Sequence, residues 1–363
     1  MKKFLVLGIG NAQVDLYRKL QGSFEVHGLS NTNIGRGYKY CDHFECIDIT
    51  DYNQVLEYSK QNQIDYIYSV GSDVAMPTVA YVSEKLNLPH FVNYEVAKAC
   101  NNKALFRDVL RGVYGAVPFQ VESDLPESLD VDFPMIVKPV DSQGQRGVST
   151  AHNKHELIKS FSFAKKHSRC GDVILERKVN GEEISVNAYV IDGELIFFLP
   201  SDRESWNDYD GGIIRKHILP VTINEPAIKN VERLVRETIH AIGITNGPVY
   251  FQIKMEKDNP FLIEVTPRFD GCHMWNLIKF STDIDLLSIC IDHLLSKKLN
   301  KLPIYTVNPS ALEFICQAPG EIVSKYNADA CSLYQEHYYL VGEVVNEMNG
   351  IMEKCGYKIN LVD

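Results

Sequence analysis

Residues 1–100 alternate short apolar runs with helical stretches, and this alternation constrains the fold more than any other feature of the chain. Phe4–Gly8, Phe24–Leu29 and Ile64–Val70 read as buried strands, with helical stretches such as Tyr52–Gln61 between them. Strands joined through helices predict a parallel sheet with helices on its faces. The N-terminal run, MKKFLVLGIGNAQVD, begins like a signal peptide, with two lysines and an apolar stretch. It meets Asn11 and Asp15 at once and offers no small-residue cleavage site, so it reads as the first strand. No stretch approaches the ~18–20 consecutive apolar residues of a membrane span.

A helical pair follows. Asn93 is placed to cap Tyr94–Cys100, and Asn101 or Asn102 to cap Lys103–Arg111, which Gly112 ends. Residues 114–134 are acidic, punctuated by prolines, and hold a short strand at Phe119–Val121. A second α/β unit opens with the strand Met135–Lys138. Asn153 and Glu156 form a capping box for a helix with the stripe Leu157, Phe161, Ala164. After the strand Val173–Glu176, the runs Ile184–Val190 and Glu194–Leu199 flank Asp192-Gly193, a hairpin signal. A long amphipathic helix runs from Pro226 to Ile242 and stops at Gly243. Val249–Glu256 and Phe261–Thr266 pair next. A three-residue loop, Lys257-Asp258-Asn259, sets Gln252 directly opposite Glu264 on one face of the sheet. Residues 301–363 read as a small β-rich segment.

The chain has 363 residues, which at ~100–200 residues per domain suggests two or three domains. Its 37 basic and 47 acidic side chains leave a net charge of −10. That balance repels nucleic acid and anionic lipid, so neither is an expected partner. A local cluster of Lys and Arg can still hold a phosphorylated ligand. The nine cysteines include no CxxC pair and no zinc-type spacing; free thiols in a reducing cytoplasm are expected.

Gly8-Ile9-Gly10 after the first strand invites a dinucleotide reading. Gln13 stands where the third glycine should be, and Gly28-Leu29-Ser30-Asn31 lacks the acidic residue that would hold a ribose. A tight strand-to-helix turn is the simpler account. Lys138 ends a strand in PMIVKP and precedes the small-residue loop Ser142–Val148. Such a loop can bring backbone N–H groups onto phosphate, with Lys138 and Arg146 as charges; an ordinary turn with a surface lysine is the alternative. Gln252 and Glu264 can share a hard cation such as Mg²⁺, with Arg268 placed for phosphate; the alternative is a solvated sheet face with a Glu–Arg pair. Glu176 and Glu183 frame a segment able to read a purine and its ribose.

The order of these groups resembles the ATP-grasp superfamily, the fold of biotin carboxylase, carbamoyl phosphate synthetase, D-alanine–D-alanine ligase and the amino-acid ligases. The resemblance covers roughly residues 1–300. It implies an α/β and α+β chain. A Rossmann-like leading domain (1–95) precedes a two-lobed nucleotide-binding unit (96–300, lid about 115–178) and a small C-terminal segment (301–363). By position, Lys103 in NNKALFR and Lys138 in IVKP match the nucleotide lysines. Ser142, Gly144 and Gly147 match the lid, Glu176 and Val179 in LERKV the adenine hinge, and Glu183 the ribose carboxylate. Gln252 and Glu264 match the metal-bearing strands, with Gln at the first position also found in carbamoyl phosphate synthetase. Arg268 in IEVTPRF matches the arginine that steadies the transferred phosphoryl group. The family usually has Asn two residues after the metal Glu; here it is Thr266, a weaker oxygen ligand.

The resemblance implies an ATP- and Mg²⁺- (or Mn²⁺-) dependent ligase of the cytoplasm, from a family that often forms homodimers. It would activate a small-molecule carboxylate as an acyl phosphate and join it to an amine or similar nucleophile, releasing ADP and phosphate. A bicarbonate-activating member, and a nucleotide-binding protein without turnover suggested by Thr266, are the alternatives. Arg203, Arg215 and His273 are the candidates for holding substrate, against a plain solvated-loop reading. His217 and His273 sit at no metal-ligand spacing.

Overall fold

The computed structural model describes residues 1–142, 146–206, 213–297, 302–326, 332–347 and 352–362. In the leading unit β1 (Lys3–Leu7), β2 (Glu25–Ser30), β3 (His43–Cys46) and β4 (Tyr66–Tyr68) form a parallel sheet in the order β3-β2-β1-β4. The helices α1 (Val14–Leu20), α2 (Tyr52–Gln61) and α3 (Met76–Leu86) connect or follow them. Phe4, Leu5, Val6 and Leu7 are all fully buried, as an inner strand requires. β3 is the strand that the apolar alternation did not announce. It is an edge strand, and its sequence HFEC is mostly exposed.

Asn93 caps α4 (Tyr94–Asn101) by accepting from the Val96 N–H, and Asn102 caps α5 (Lys103–Val109) by accepting from Ala104 and Leu105. The lid follows. Its strands β5 (Phe119–Glu122), β6 (Met135–Pro139), β7 (Ser149–Ala151) and β8 (Val173–Arg177) lie in the order β5-β8-β6-β7, covered by α6 (Lys154–His167). The lid has its own small core around Val137, Leu157, Phe161 and Leu175. Met135 and Val137 point into it, which turns Ile136 and Lys138 to the other face.

The remaining strands build one eight-stranded antiparallel sheet. They are β9 (Glu182–Ile191), β10 (Glu194–Ser205), β11 (Ile214–Leu219), β12 (Gly247–Glu256), β13 (Asn259–Thr266), β14 (Ser310–Gln317), β15 (Ser332–His337) and β16 (Glu353–Leu361). The order is β13-β12-β9-β10-β11-β14-β16-β15. The helices α7 (Glu225–Ile242), α8 (Met274–Thr282) and α9 (Leu286–Leu294) pack on it. The C-terminal segment is thus β-rich as expected, but it continues the central sheet instead of standing apart. It is also tied to the leading unit. Glu336 on β15 accepts from both terminal nitrogens of Arg18 (2.9 and 3.0 Å) and pairs with Arg36. The leading unit and the central sheet share a continuous apolar core.

Gln252 does pair with Glu264, but not through the expected loop. Glu256 pairs with Asn259, so the loop has two residues, Lys257 and Asp258. A bulge after Gln252 then shifts the register by one and restores the Gln252–Glu264 pair. Without that bulge the carboxylate would face away from Gln252.

Candidate functional site

The lid, the central sheet and the leading unit meet at a cleft, and the sequence candidates distribute around it. Lys138 is nearly buried there, 2.7 Å from the Glu176 carboxylate. Burial lowers the pKa of Lys138, and the neighbouring Glu176 opposes that shift. The other Glu176 oxygen accepts from Arg107 Nε at 2.8 Å. Burial alone would raise the Glu176 carboxyl; Arg107 and then Lys138 outweigh it and hold it at about 2. The carboxylate therefore arrives already paired, and what it does here is fix Lys138. Arg107 also donates to the Leu262 and Ile263 carbonyls on β13, at 2.7 and 3.1 Å. One guanidinium thus ties α5, the lid and the strand that carries Glu264. Sequence reading passed over Arg107, although it lies one helical turn beyond Lys103.

The Lys103 ammonium donates to the Ser142 carbonyl. Burial and the nearby Lys138 lower its pKa. Gly144 lies outside the described residues, as do the neighbouring lid positions 143 and 145. Gly147 has φ +77°, and a Cβ there would sit 2.7 Å from His167 Cβ and 2.8 Å from Pro139 Cγ. Its local need for glycine is therefore met by backbone conformation and lid packing. At the end of β8, Arg177 and Lys178 donate their N–H groups to the Pro118 and Pro134 carbonyls. Val179, buried just beyond, makes no backbone hydrogen bond among the described residues.

Glu183 faces Gln252, whose Nε2 donates to it at 3.1 Å. The Glu264 side chain is exposed on the sheet face. Desolvation of its carboxyl group and the Asp73 carboxylate raise its pKa, opposed by Arg268, Lys103 and Lys138. Two positions on, Thr266 is buried and its hydroxyl lacks a partner among the described residues. A carboxylate without an ion pair and a hydroxyl without a partner among the described residues, with an amide oxygen opposite, are the oxygen donors a small hard cation takes. The donor set fits Mg²⁺.

Arg268 is buried and clamped by Asp73 of the leading unit, with Nε and an Nη at 2.7 and 2.6 Å from Oδ1. A third bond goes to the Phe269 carbonyl. Beside it lies a group of buried polar side chains. Arg203 donates to the Tyr250 hydroxyl at 2.8 Å and its Nε stands 3.5 Å from Glu183, without a hydrogen bond. His217 is fully buried, and among the described residues neither of its ring nitrogens is bonded, nor is the Asp270 oxygen 3.7 Å away. Burial pushes the His217 pKa down to about 4 and the Cys272 thiol up to about 11. Buried polar atoms without partners are rare, so this concentration is a candidate place for a polar ligand. Sequence reading reached only Arg203; His217 is its partner across β10 and β11, and Asp270 lies beyond β13, a juxtaposition set by the finished sheet. Arg215 does not join this group; it reaches Glu313 at 3.5 Å and stacks on Trp206. The loop positions 207–212, counted with the substrate segment, lie outside the described residues.

His273 begins α8, with its Nε2 2.8 Å from the Tyr338 hydroxyl and its ring stacked on Tyr357 at 4.5 Å. It lines a cavity of about 500 Å³ with residues 10–13, Gly71, Tyr338 and Lys354. The glycines after β1 and β4 open this cavity at the point where the strand order reverses, the usual ligand position of an open parallel sheet.

Residues 131–275 match the ATP-grasp domain family. The chain is 26% identical over 213 residues to the phosphoribosylamine–glycine ligase of Methanococcus maripaludis, covering 53% of this chain and 47% of that protein. It thus spans about half the length of the curated relative it matches. The structure is similar to phosphoribosylglycinamide synthetase from Anaerococcus prevotii, with a TM-score of 0.78 at 18% identity over 99% of this chain and 93% of that one. It is equally similar to the biotin carboxylase domain of 2-oxoglutarate carboxylase from Hydrogenobacter thermophilus, solved as a dimer with MgADP and bicarbonate. There the TM-score is 0.81 at 15% identity, over 99% and 86% of the two chains. This chain carries an ATP-grasp domain and has the ATP-grasp fold.

Proposed function

We propose that the protein is an ADP-forming ligase that activates a small carboxylate with ATP and joins it to an amine. One observation carries this reading: two low-pKa lysines from different units, Lys103 and Lys138, lie in the same cleft as Glu264 and Arg268. Polyphosphate is the ligand that such a group of cations neutralises. Val179 and Glu183 would receive the adenosine. Gln252 and Glu264 would hold Mg²⁺, whose charge would offset that of the polyphosphate. Arg268, kept rigid by Asp73, would steady the phosphoryl group as a substrate carboxylate oxygen attacks it. Arg203 and His217 would hold that carboxylate. The amine would enter from the 500 Å³ cavity beside His273 and displace phosphate from the acyl phosphate, with the lid excluding water.

Bicarbonate is the second reading, favoured by the tightness of the Arg203–His217 group, where a one-carbon acid meets several donors at once. ADP release would be measured against a matrix of carboxylates and amines, with bicarbonate included. A carboxylate–amine ligase releases ADP only when both acceptors are present, and Glu264→Gln abolishes that release. ATP binding with no ADP formed under any pair would refute the catalytic reading.

A further inference from the structure

A second cluster lies far from the cleft chemistry, at the opposite end of the leading sheet. Glu25 and His27 project from one face of β2, two residues apart, and His43 on β3 is in direct register with His27. Both imidazoles converge on a single carboxylate oxygen. His27 Nε2 is 3.1 Å and His43 Nε2 is 3.2 Å from Glu25 Oε1. All three ligand atoms lie within 4.8 Å of one another. In a tetrahedral zinc site with bonds of ~2.0–2.1 Å, neighbouring ligand atoms are ~3.3 Å apart. The two measured edges are already close to that spacing.

The surroundings match as well. The other ring nitrogen of His27, Nδ1, is 2.7 Å from the Tyr58 hydroxyl on α2, the kind of outer contact that fixes a ligating imidazole's orientation. His27 is buried while the His43 side chain is 57% exposed, so one side stays open for a water as fourth ligand. The Lys3 ammonium stands 3.6 Å from the same Glu25 oxygen. It supplies the counter-charge at present and, on a flexible stem, can swing away.

We propose that Glu25, His27 and His43 form a zinc-type metal site that fastens the edge strand β3 to β2, separate from the Mg²⁺ of the nucleotide. Two imidazoles and a carboxylate suit Zn²⁺ over Mg²⁺, which prefers an all-oxygen shell.

Cobalt(II) is the probe, titrated into the full chain carrying Glu264→Gln so that the nucleotide's metal position is disabled. One equivalent should bind with tetrahedral visible bands and no thiolate charge transfer. Zn²⁺ should displace it and raise the melting temperature. His43→Ala, at an exposed position that leaves the fold intact by circular dichroism, should weaken binding at least ~100-fold. Tyr58→Phe should weaken it ~10-fold. Binding that survives His43→Ala, or that shows the charge-transfer bands of a site at His217, Asp270 and Cys272, overturns the proposal. So does an absence of cobalt binding.

Discussion

Replacing Glu176 by Gln tests how the cleft is held together before any nucleotide enters. The carboxylate is 5% exposed and faces Arg107 at 2.8 Å and Lys138 at 2.7 Å, themselves 1% and 11% exposed. At an effective dielectric of ~20, each contact supplies a gross attraction of about 6 kcal/mol, most of it offset by the desolvation of the ions. Gln keeps the shape and removes the charge, so two buried cations lose their counter-ion. Removing one partner from a buried ion pair costs about 3–5 kcal/mol, and that is the expected loss of stability in guanidinium denaturation near neutral pH. ATP offers Lys138 a new anion. Saturating MgATP should therefore stabilise the variant by more than it stabilises the wild type, by about 1.5–3 kcal/mol for one charge-assisted contact. The pH dependence carries the same signature. A carboxyl held at about 2 against an ordinary ~4.3 contributes fully above the ordinary value and loses its contribution as the pH falls through about 2. Glu176→Gln should lack that acid-side loss. A destabilisation below about 1 kcal/mol, or an ATP stabilisation equal to wild type, would refute the assignment of Glu176 as the anchor of Lys138.

Lys138→Ala should weaken ATP binding at least ~10-fold by calorimetry, from the loss of one charged contact; Lys39→Ala, over the Tyr40 ring at 5.2 Å, should leave it unchanged, and equal affinities would contradict the site. His217 is held neutral, at about 4 against an ordinary ~6.5, so the unfolded chain takes up a proton first and stability falls as the pH drops from ~6.5 to ~4. His217→Asn should flatten that stretch of the stability–pH curve, and an unchanged slope there rules the histidine out as its source. Gly147→Ala adds a Cβ at φ +77° against His167 and Pro139. It should cost at least about 1–2 kcal/mol and open the lid to limited proteolysis; an unaltered melting temperature would show that the lid backbone adapts.

Local rules were enough to read much of this protein from its sequence. Buried strand runs, asparagine caps at Asn93, Asn102 and Asn153, and the Gly243 stop are short-range effects, and each sits where expected. The order of Lys103, Lys138, Glu264 and Arg268 was likewise legible as a pattern. Tertiary structure decided what depends on distance in space between residues distant in the chain. It joined the C-terminal strands to the central sheet, because an edge strand's unpaired backbone groups accept any strand of suitable geometry. It set Asp73 against Arg268 and Arg107 against Glu176, pairs separated by 195 and 69 residues. The Gln252–Glu264 register shows the division most clearly. Side-chain alternation gave the right partners, but a shorter loop and a compensating bulge produced them, and only hydrogen bonding across the finished sheet could choose between those routes.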